Sequence, residues 1–141
     1  MEEFYLNYKL KFCGLYKNGK RWSGIGFDAS NSIAYELKNG KGSVKEYDEH
    51  KFLLFEGEYA NGEKNGLGKE YNNNEVPGFN GVFSNGKKWS GKIENIKIPD
   101  RKYEINNGEG LLIEYDKIKN IIFEGTFING ERNGKGKEYI T

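Results

Sequence analysis

The sequence predicts an all-β fold, an elongated single-layer antiparallel sheet of consecutive β-hairpins, and three observations predict it. The first is composition: 20 glycines and 19 Tyr plus Phe stand beside only 35% hydrophobic residues. Glycine costs a helix about 1 kcal/mol per interior position relative to alanine, which disfavours a helical bundle, and disordered chains are poor in aromatics. The second is an internal repeat: FEGEYANGEKNGLGKEY (Phe55 to Tyr71) returns as FEGTFINGERNGKGKEY (Phe123 to Tyr139). The third is local: Asn-Gly recurs between runs of alternating apolar and polar residues, a strong hairpin signal.

Taken in order, the elements fall into two cassettes. Phe12 to Asp28 (FCGLYKNGKRWSGIGFD) places Phe12, Gly14 and Tyr16 where the long repeat has Phe55, Gly57 and Tyr59, with Asn18-Gly19 as its turn. Tyr35 to Asp48 (YELKNGKGSVKEYD) is a shorter hairpin that keeps Asn39-Gly40 and a closing Lys-Glu-Tyr. The full unit Phe55 to Tyr71 follows. The same three then recur as Phe79 to Lys92, Tyr103 to Asp116 and Phe123 to Tyr139. The prediction is one array over residues 1–141, in two three-hairpin cassettes at about 12–72 and 79–140. A partial strand over 2–6 precedes them, because Glu3-Phe4 stands before Phe12 as Glu46-Tyr47 stands before Phe55. Gly26 has no counterpart in the second cassette, and Pro99 falls in the linker Ile96 to Arg101, so irregularity is expected there. The lack of conspicuous polar caps implies either a piece of a longer array or ends that pair with something.

The pattern [FY]-x-G-x-[YF]-x-N-G-x-x-x-G-x-G resembles the MORN (membrane occupation and recognition nexus) repeat. Phe55 to Gly68 and Phe123 to Gly136 carry it closely, the Trp-bearing units with one inserted residue, and the short units only in their second half. The resemblance implies a non-catalytic module: a scaffold at cytoskeletal or membrane contacts, or a targeting segment like those of phosphoinositide kinases, junctional membrane proteins and a histone methyltransferase. The leading expectation is therefore protein–protein interaction or self-association. Peripheral binding of anionic phospholipid is the alternative, and a targeting fragment of a larger multidomain protein is a second one.

In a strand, residues i, i+2 and i+4 share a face, so Phe55, Gly57 and Tyr59 lie together opposite Glu56 and Glu58. The candidate interaction face is Tyr16, Trp22, Phe55, Tyr59, Trp89, Phe123 and Phe127; the plainer reading makes these rings the core of a thin sheet. Trp22-Ser23-Gly24 and Trp89-Ser90-Gly91 each follow two basic residues and precede a short hairpin. Packing of the ring against that hairpin is preferred to ligand binding. Basic residues recur at the turns, and Lys20, Arg21, Lys64, Lys87, Lys88 and Arg132 form the candidate anionic-lipid edge, interrupted by Glu63 and Glu131. A solvated mixed-charge edge is the favoured account of them.

Other functions find less support. Lys plus Arg number 22 against 21 Asp plus Glu, without the basic clustering of a nucleic-acid binder. Cys13 and His50 are single, so neither an internal disulfide nor a Cys/His zinc site is expected. Gly19-Lys20 and Gly86-Lys87 lack the Ser/Thr of a phosphate-binding loop, and Ser23 and Ser90 have no recurring base. Cys13 is expected to point away from the ring face, with no cation to activate it. No catalytic residue, cofactor, metal or small-molecule substrate is expected. With no signal peptide and no run of ~20 apolar residues, the expected location is cytoplasmic, with peripheral contact at membrane or cytoskeleton as the resemblance implies.

Overall fold

The structure is a computed structural model that describes residues 2–5, 9–72, 76–94, 103–115 and 121–139. The expected irregularity at Pro99 and the Leu6 end of the partial strand lie outside the described residues.

Among the described residues, alternation and turn chemistry build thirteen antiparallel strands. A short strand β1 (Glu2–Phe4) leads into six hairpins. They are β2 (Leu10–Lys17) with β3 (Lys20–Phe27), β4 (Ile33–Leu37) with β5 (Gly42–Tyr47), and β6 (Leu53–Ala60) with β7 (Glu63–Asn72). The second cassette supplies β8 (Val76–Ser84) with β9 (Lys87–Ile93), β10 (Glu104–Asn106) with β11 (Glu109–Tyr115), and β12 (Ile121–Ile128) with β13 (Glu131–Glu138). Every hairpin turns on Asn-Gly with positive φ at both residues, from Asn18 (52°) and Gly19 (77°) to Asn129 (54°) and Gly130 (75°). This is the type I′ turn, whose twist matches that of the strands it joins.

Neighbouring hairpins are joined edge to edge and turn to turn. The turn amide of Gly40 donates to the Trp22 carbonyl (2.6 Å), Gly62 to Gly40 (2.9 Å) and Gly86 to Lys64 (2.8 Å). Gly108 donates to Trp89 (2.8 Å) and Gly130 to Gly108 (3.0 Å). The turns therefore form a hydrogen-bonded column along one end of the strands.

The pairing differs from a single continuous sheet at one place. Strands β1 to β4 form one ladder and β5 to β13 another. Across the intervening Asn39-Gly40 turn, only Lys38 and Lys41 bridge. Two like charges face each other there, which disfavours a longer ladder. The equivalent hairpin in the second cassette carries Asn106 opposite Glu109 and zips through Ile105–Gly110 and Glu104–Leu111.

The recurring Phe-x-Gly is a packing device. Gly14 stands opposite Gly24, Gly57 opposite Gly68, Gly81 opposite Gly91 and Gly125 opposite Gly136. On each such pair lies the Phe of the same hairpin. A Cβ on Gly24, Gly57, Gly91 or Gly125 would meet the Cζ of Phe12, Phe55, Phe79 or Phe123 at 2.8 Å. The four rings are buried, and they seed two clusters. One holds Phe12, Tyr35, Leu37 and Val44; the other holds Phe55, Phe79, Phe83, Ile105, Leu112, Phe123 and Phe127. Tyr59 touches both and joins the two clusters.

Candidate functional site

The candidate aromatic residues divide by what surrounds them. Phe55, Phe123 and Phe127 are buried in the core, while Tyr16, Tyr59, Trp22 and Trp89 are half-buried. Each Trp ring lies against a neighbouring turn: a Cβ on Gly40 would sit 2.7 Å from Trp22 Cζ3, and one on Gly108 would sit 2.8 Å from Trp89 Cζ3. The serine that follows completes the dock. Ser23 Oγ accepts the Asn39 amide and Ser90 Oγ accepts the Asn107 amide, both at 2.9 Å. Trp-Ser-Gly thus seats the short hairpin, with a lysine (Lys17) 4.5 Å over the Trp22 ring.

The candidate cations also recur in fixed places. Arg21, Lys64, Lys88 and Arg132 stand over Phe12, Phe55, Phe79 and Phe123 at 5.2, 4.3, 5.8 and 4.1 Å. Each therefore covers the outer side of the ring whose inner side rests on the glycine pair, a favourable cation–π placement. Each also has a carboxylate: Arg21–Glu3 at 2.7 Å, Lys64–Glu70 at 3.6 Å, Lys88–Glu70 at 3.3 Å and Arg132–Glu114 at 2.9 Å. Nearer the turns, Lys20 pairs with Glu63 at 3.0 Å and Lys87 with Glu131 at 2.7 Å, equivalent contacts in the two cassettes.

These partners expose residues the sequence reading passed over. Glu3, Glu46, Glu70, Glu114 and Glu138 each precede an aromatic residue in a closing strand, and together they run across the ring face as a line of carboxylates. Their recurrence in Glu-Phe and Lys-Glu-Tyr was the available signal. At the first joint Arg21 grips Glu3 through two bonds (2.7 and 3.0 Å) and donates a third to the Tyr35 hydroxyl (2.6 Å). Tyr16 also donates to Glu3, and Tyr59 to Glu46. The Arg21 hydrogen bond holds the Glu3 carboxyl down at about 2, against the partial burial that works to raise it. Burial pushes the Tyr16 hydroxyl up to about 12, aided by Glu3, and raises Tyr35 and Tyr59 as well. Around Glu70 burial again opposes the charge, but Lys88 and Lys64 outweigh it and the pKa is lowered.

The second cassette keeps the carboxylates but changes what meets them. Phe83 and Phe127 stand where Tyr16 and Tyr59 stand in the first, and Lys88 replaces Arg21. A hollow of about 240 Å³ opens there, lined by Lys64, Glu70, Phe83, Lys88, Glu114 and Phe127. The opposite face of the sheet carries two shallow troughs at equivalent places. One lies over Gly57–Gly68 between Lys45, Glu56, Glu58 and Lys69 (about 590 Å³), and the other over Gly125–Gly136 between Glu124, Lys135 and Lys137 (about 680 Å³).

Cys13 is exposed and His50 lies exposed in the turn after β5. Among the described residues no group of three His, Cys, Asp or Glu is placed to hold a metal.

Comparison with known proteins agrees with this geometry. The family model of the MORN repeat matches residues 55–75 and 123–140, the β6–β7 and β12–β13 hairpins with their flanks. Neither a curated protein nor a solved structure matches the chain. The chain thus carries MORN repeats at β6–β7 and β12–β13, within its run of consecutive antiparallel hairpins.

Proposed function

We propose that this protein is a non-catalytic interaction scaffold, and that it engages a protein partner, or itself, through the outer edge of the β12–β13 hairpin. One observation carries the reading. All eight residues of β13 are exposed, and among the described residues no strand pairs with its outer edge. The equivalent strand β7 is covered by β8. There the receiving groups can be named: the Lys64 carbonyl accepts the Gly86 amide, Asn65 Oδ1 accepts the Asn85 amide (3.2 Å), and Glu70 holds Lys88. Arg132, Asn133 and Glu138 occupy the same three positions at the open edge. An open strand edge is a template for pairing with another chain, and β-augmentation is a recurring mode of peptide recognition.

The membrane alternative draws less support. Each of Lys20, Arg21, Lys64, Lys87, Lys88 and Arg132 has a carboxylate within 3.6 Å, which offsets the charge it offers to anionic lipid.

A labelled synthetic peptide spanning residues 79–93, the hairpin that docks on β7, is the direct probe. Its fluorescence anisotropy should rise saturably with added protein, and Glu138→Lys in the protein should weaken the binding by repelling Lys88 of the peptide. No rise at any accessible concentration would remove the edge as a hairpin-binding surface.

A further inference from the structure

The two cassettes differ at one position that opens a hole in the ring face. In the first, Gly26 stands between Phe12 and Tyr35, and the Tyr35 ring crosses over it: a Cβ on Gly26 would lie 2.1 Å from Tyr35 Cε1. Glycine in a strand interior marks such a close approach. The bare backbone lets the ring reach Phe12 and stack on it, with centroids 6.3 Å apart and planes at 24°. The Tyr35 hydroxyl then accepts a hydrogen bond from Arg21 at 2.6 Å and lies within the fields of Glu46 and Glu3.

In the second cassette the same row reads differently. Ile93 stands opposite Phe79, and its amide donates to the Tyr103 carbonyl at 2.9 Å. Ile93 therefore takes the place of Gly26, and Tyr103 that of Tyr35. A branched side chain now occupies the path that the Tyr35 ring follows. Tyr103 is buried, with no hydrogen-bond partner for its hydroxyl among the described residues, and the ring that meets Phe79 is Phe83.

A hollow of about 200 Å³ lies where the tyrosine is missing, and Glu70, Phe79, Lys88, Ile93 and Glu114 are among its lining. These five are the counterparts, one for one, of Glu3, Phe12, Arg21, Gly26 and Glu46. Those in turn are the residues that surround the ring and hydroxyl of Tyr35. The hollow adjoins the one beside Phe83 and Phe127, with which it shares Glu70, Lys88 and Glu114. A pocket for a small molecule typically measures roughly 300–1,000 Å³, so this one suits a single side chain.

The walls select the guest. Glu70 already meets Lys64 and Lys88, and Glu114 meets Arg132, so a charged guest would have to displace an ion-pair partner. A phenol displaces none. Its oxygen can accept from the Lys88 ammonium, as Tyr35 accepts from Arg21. Its proton can go to a wall carboxylate, as Tyr16 donates to Glu3 and Tyr59 to Glu46.

We propose that this hollow is a binding site for a tyrosine side chain presented by a protein partner, which supplies from outside the ring that the first cassette supplies from Tyr35. The guest ring rests on Ile93, and its hydroxyl lies between Lys88 and the carboxylates of Glu70 and Glu114. The site is on the ring face, apart from the β13 edge, and stands independently of the reading given above.

The probe is a blocked pentapeptide of glycines with one central tyrosine, titrated into nitrogen-15-labelled protein. Its addition should move the amide signals of Phe79, Lys88, Ile93 and Glu114 saturably, and the same peptide with a central phenylalanine should bind several-fold more weakly. No saturable shift at millimolar peptide would overturn the site. An arginine peptide that bound as tightly as the tyrosine one would overturn it too, since the carboxylates would then be reading charge. Lys88→Met keeps the aliphatic stem and removes the donor to the guest hydroxyl. It should weaken the tyrosine peptide several-fold and leave the phenylalanine peptide unchanged; equal effects on both would contradict the proposed hydrogen bond. Ile93→Gly restores the bare strand, so Tyr103 should close over it, give a nuclear Overhauser contact with Phe79 and abolish binding. Should Ile93→Gly fail to fold, the comparison of peptides with Lys88→Met decides alone. Glu138→Lys, which should weaken the 79–93 peptide at the β13 edge, should leave the tyrosine peptide unaffected, so the failure of either reading is told apart from that of the other.

Discussion

The two cassettes share a backbone plan and differ in how they satisfy the same line of carboxylates. In the first, Glu3 is gripped by a bidentate arginine that also reaches Tyr35, and the hydroxyls of Tyr16 and Tyr59 close on Glu3 and Glu46. Where the second begins, its Lys88 shares Glu70 of the first with Lys64 at 3.3 and 3.6 Å, phenylalanines replace the tyrosines, and a hollow remains. The replacement of Arg21 by Lys88 has a further consequence: Tyr103, the counterpart of Tyr35, is buried with a hydroxyl that has no hydrogen-bond partner among the described residues. Arginine and lysine are not equivalent here, because only the planar fork reaches two oxygens of Glu3 and a third group beyond. Repetition fixes the scaffold, and the side chains at the joints make one half tightly bonded and the other loosely so.

The largest expected effect breaks that difference at its source. Arg21→Ala removes two charge-assisted bonds to Glu3, the bond to Tyr35 and the cover over Phe12, and should cost about 2–4 kcal/mol. Lys88→Ala leaves Lys64 beside Glu70 and should cost only about 1 kcal/mol. Urea midpoints of the two variants measure this directly. Equal losses would mean that the arginine network adds nothing beyond a single ion pair.

A smaller effect with opposite signs sharpens the comparison. Tyr35→Phe deprives Arg21 of an acceptor and should destabilise by about 1.5–3 kcal/mol, the usual range for a hydrogen bond to a charged group. Tyr103→Phe removes a buried hydroxyl that is unpaired among the described residues, and should be neutral or stabilising by up to about 1 kcal/mol. Thermal or urea unfolding of the matched pair is the measurement, and a destabilising Tyr103→Phe would contradict the orphaned hydroxyl.

What was legible in the sequence follows from locality. Asn-Gly with positive φ at both residues, the alternation of Phe55, Gly57 and Tyr59, and the order of six hairpins are set by residues close in the chain, and all are visible there. The seating of Trp22 and Trp89 on the short hairpins could be argued because each Trp directly precedes one. The ion pairs were not legible. Arg21 and Glu3 are 18 residues apart and meet across strands, so the charges at the turns read as a mixed-charge edge without revealing which carboxylate each cation meets. The break in the ladder was hidden for the same reason. KNGK and NNGE both read as hairpin turns, and only strand pairing sets Lys38 against Lys41. For Phe55 and Phe123 the core role was the plainer reading, but what encloses the rings of a one-layer sheet was hidden: the cations above them and the glycine pairs below.

The smallest effect is a pH dependence that should belong more to the first cassette than to the rest of the array. Glu3 is depressed to about 2, chiefly by the Arg21 hydrogen bond, from an ordinary value of 4.5. A carboxylate depressed in the folded state stabilises it fully above the unfolded value, and that stabilisation is lost as pH falls from about 4.5 toward 2. With 35% of its side chain exposed, Glu3 is screened by solvent, so its share of acid sensitivity is modest. Glu3→Gln should therefore lower stability at pH 7 and show a shallower fall than the unsubstituted protein between about pH 4.5 and 2.5, the two urea midpoints converging as acid is added. Parallel curves over that range would show that Glu3 carries no pH-linked stability, and the tight joint of the first cassette would then rest on Tyr35 and the rings rather than on the ion pair.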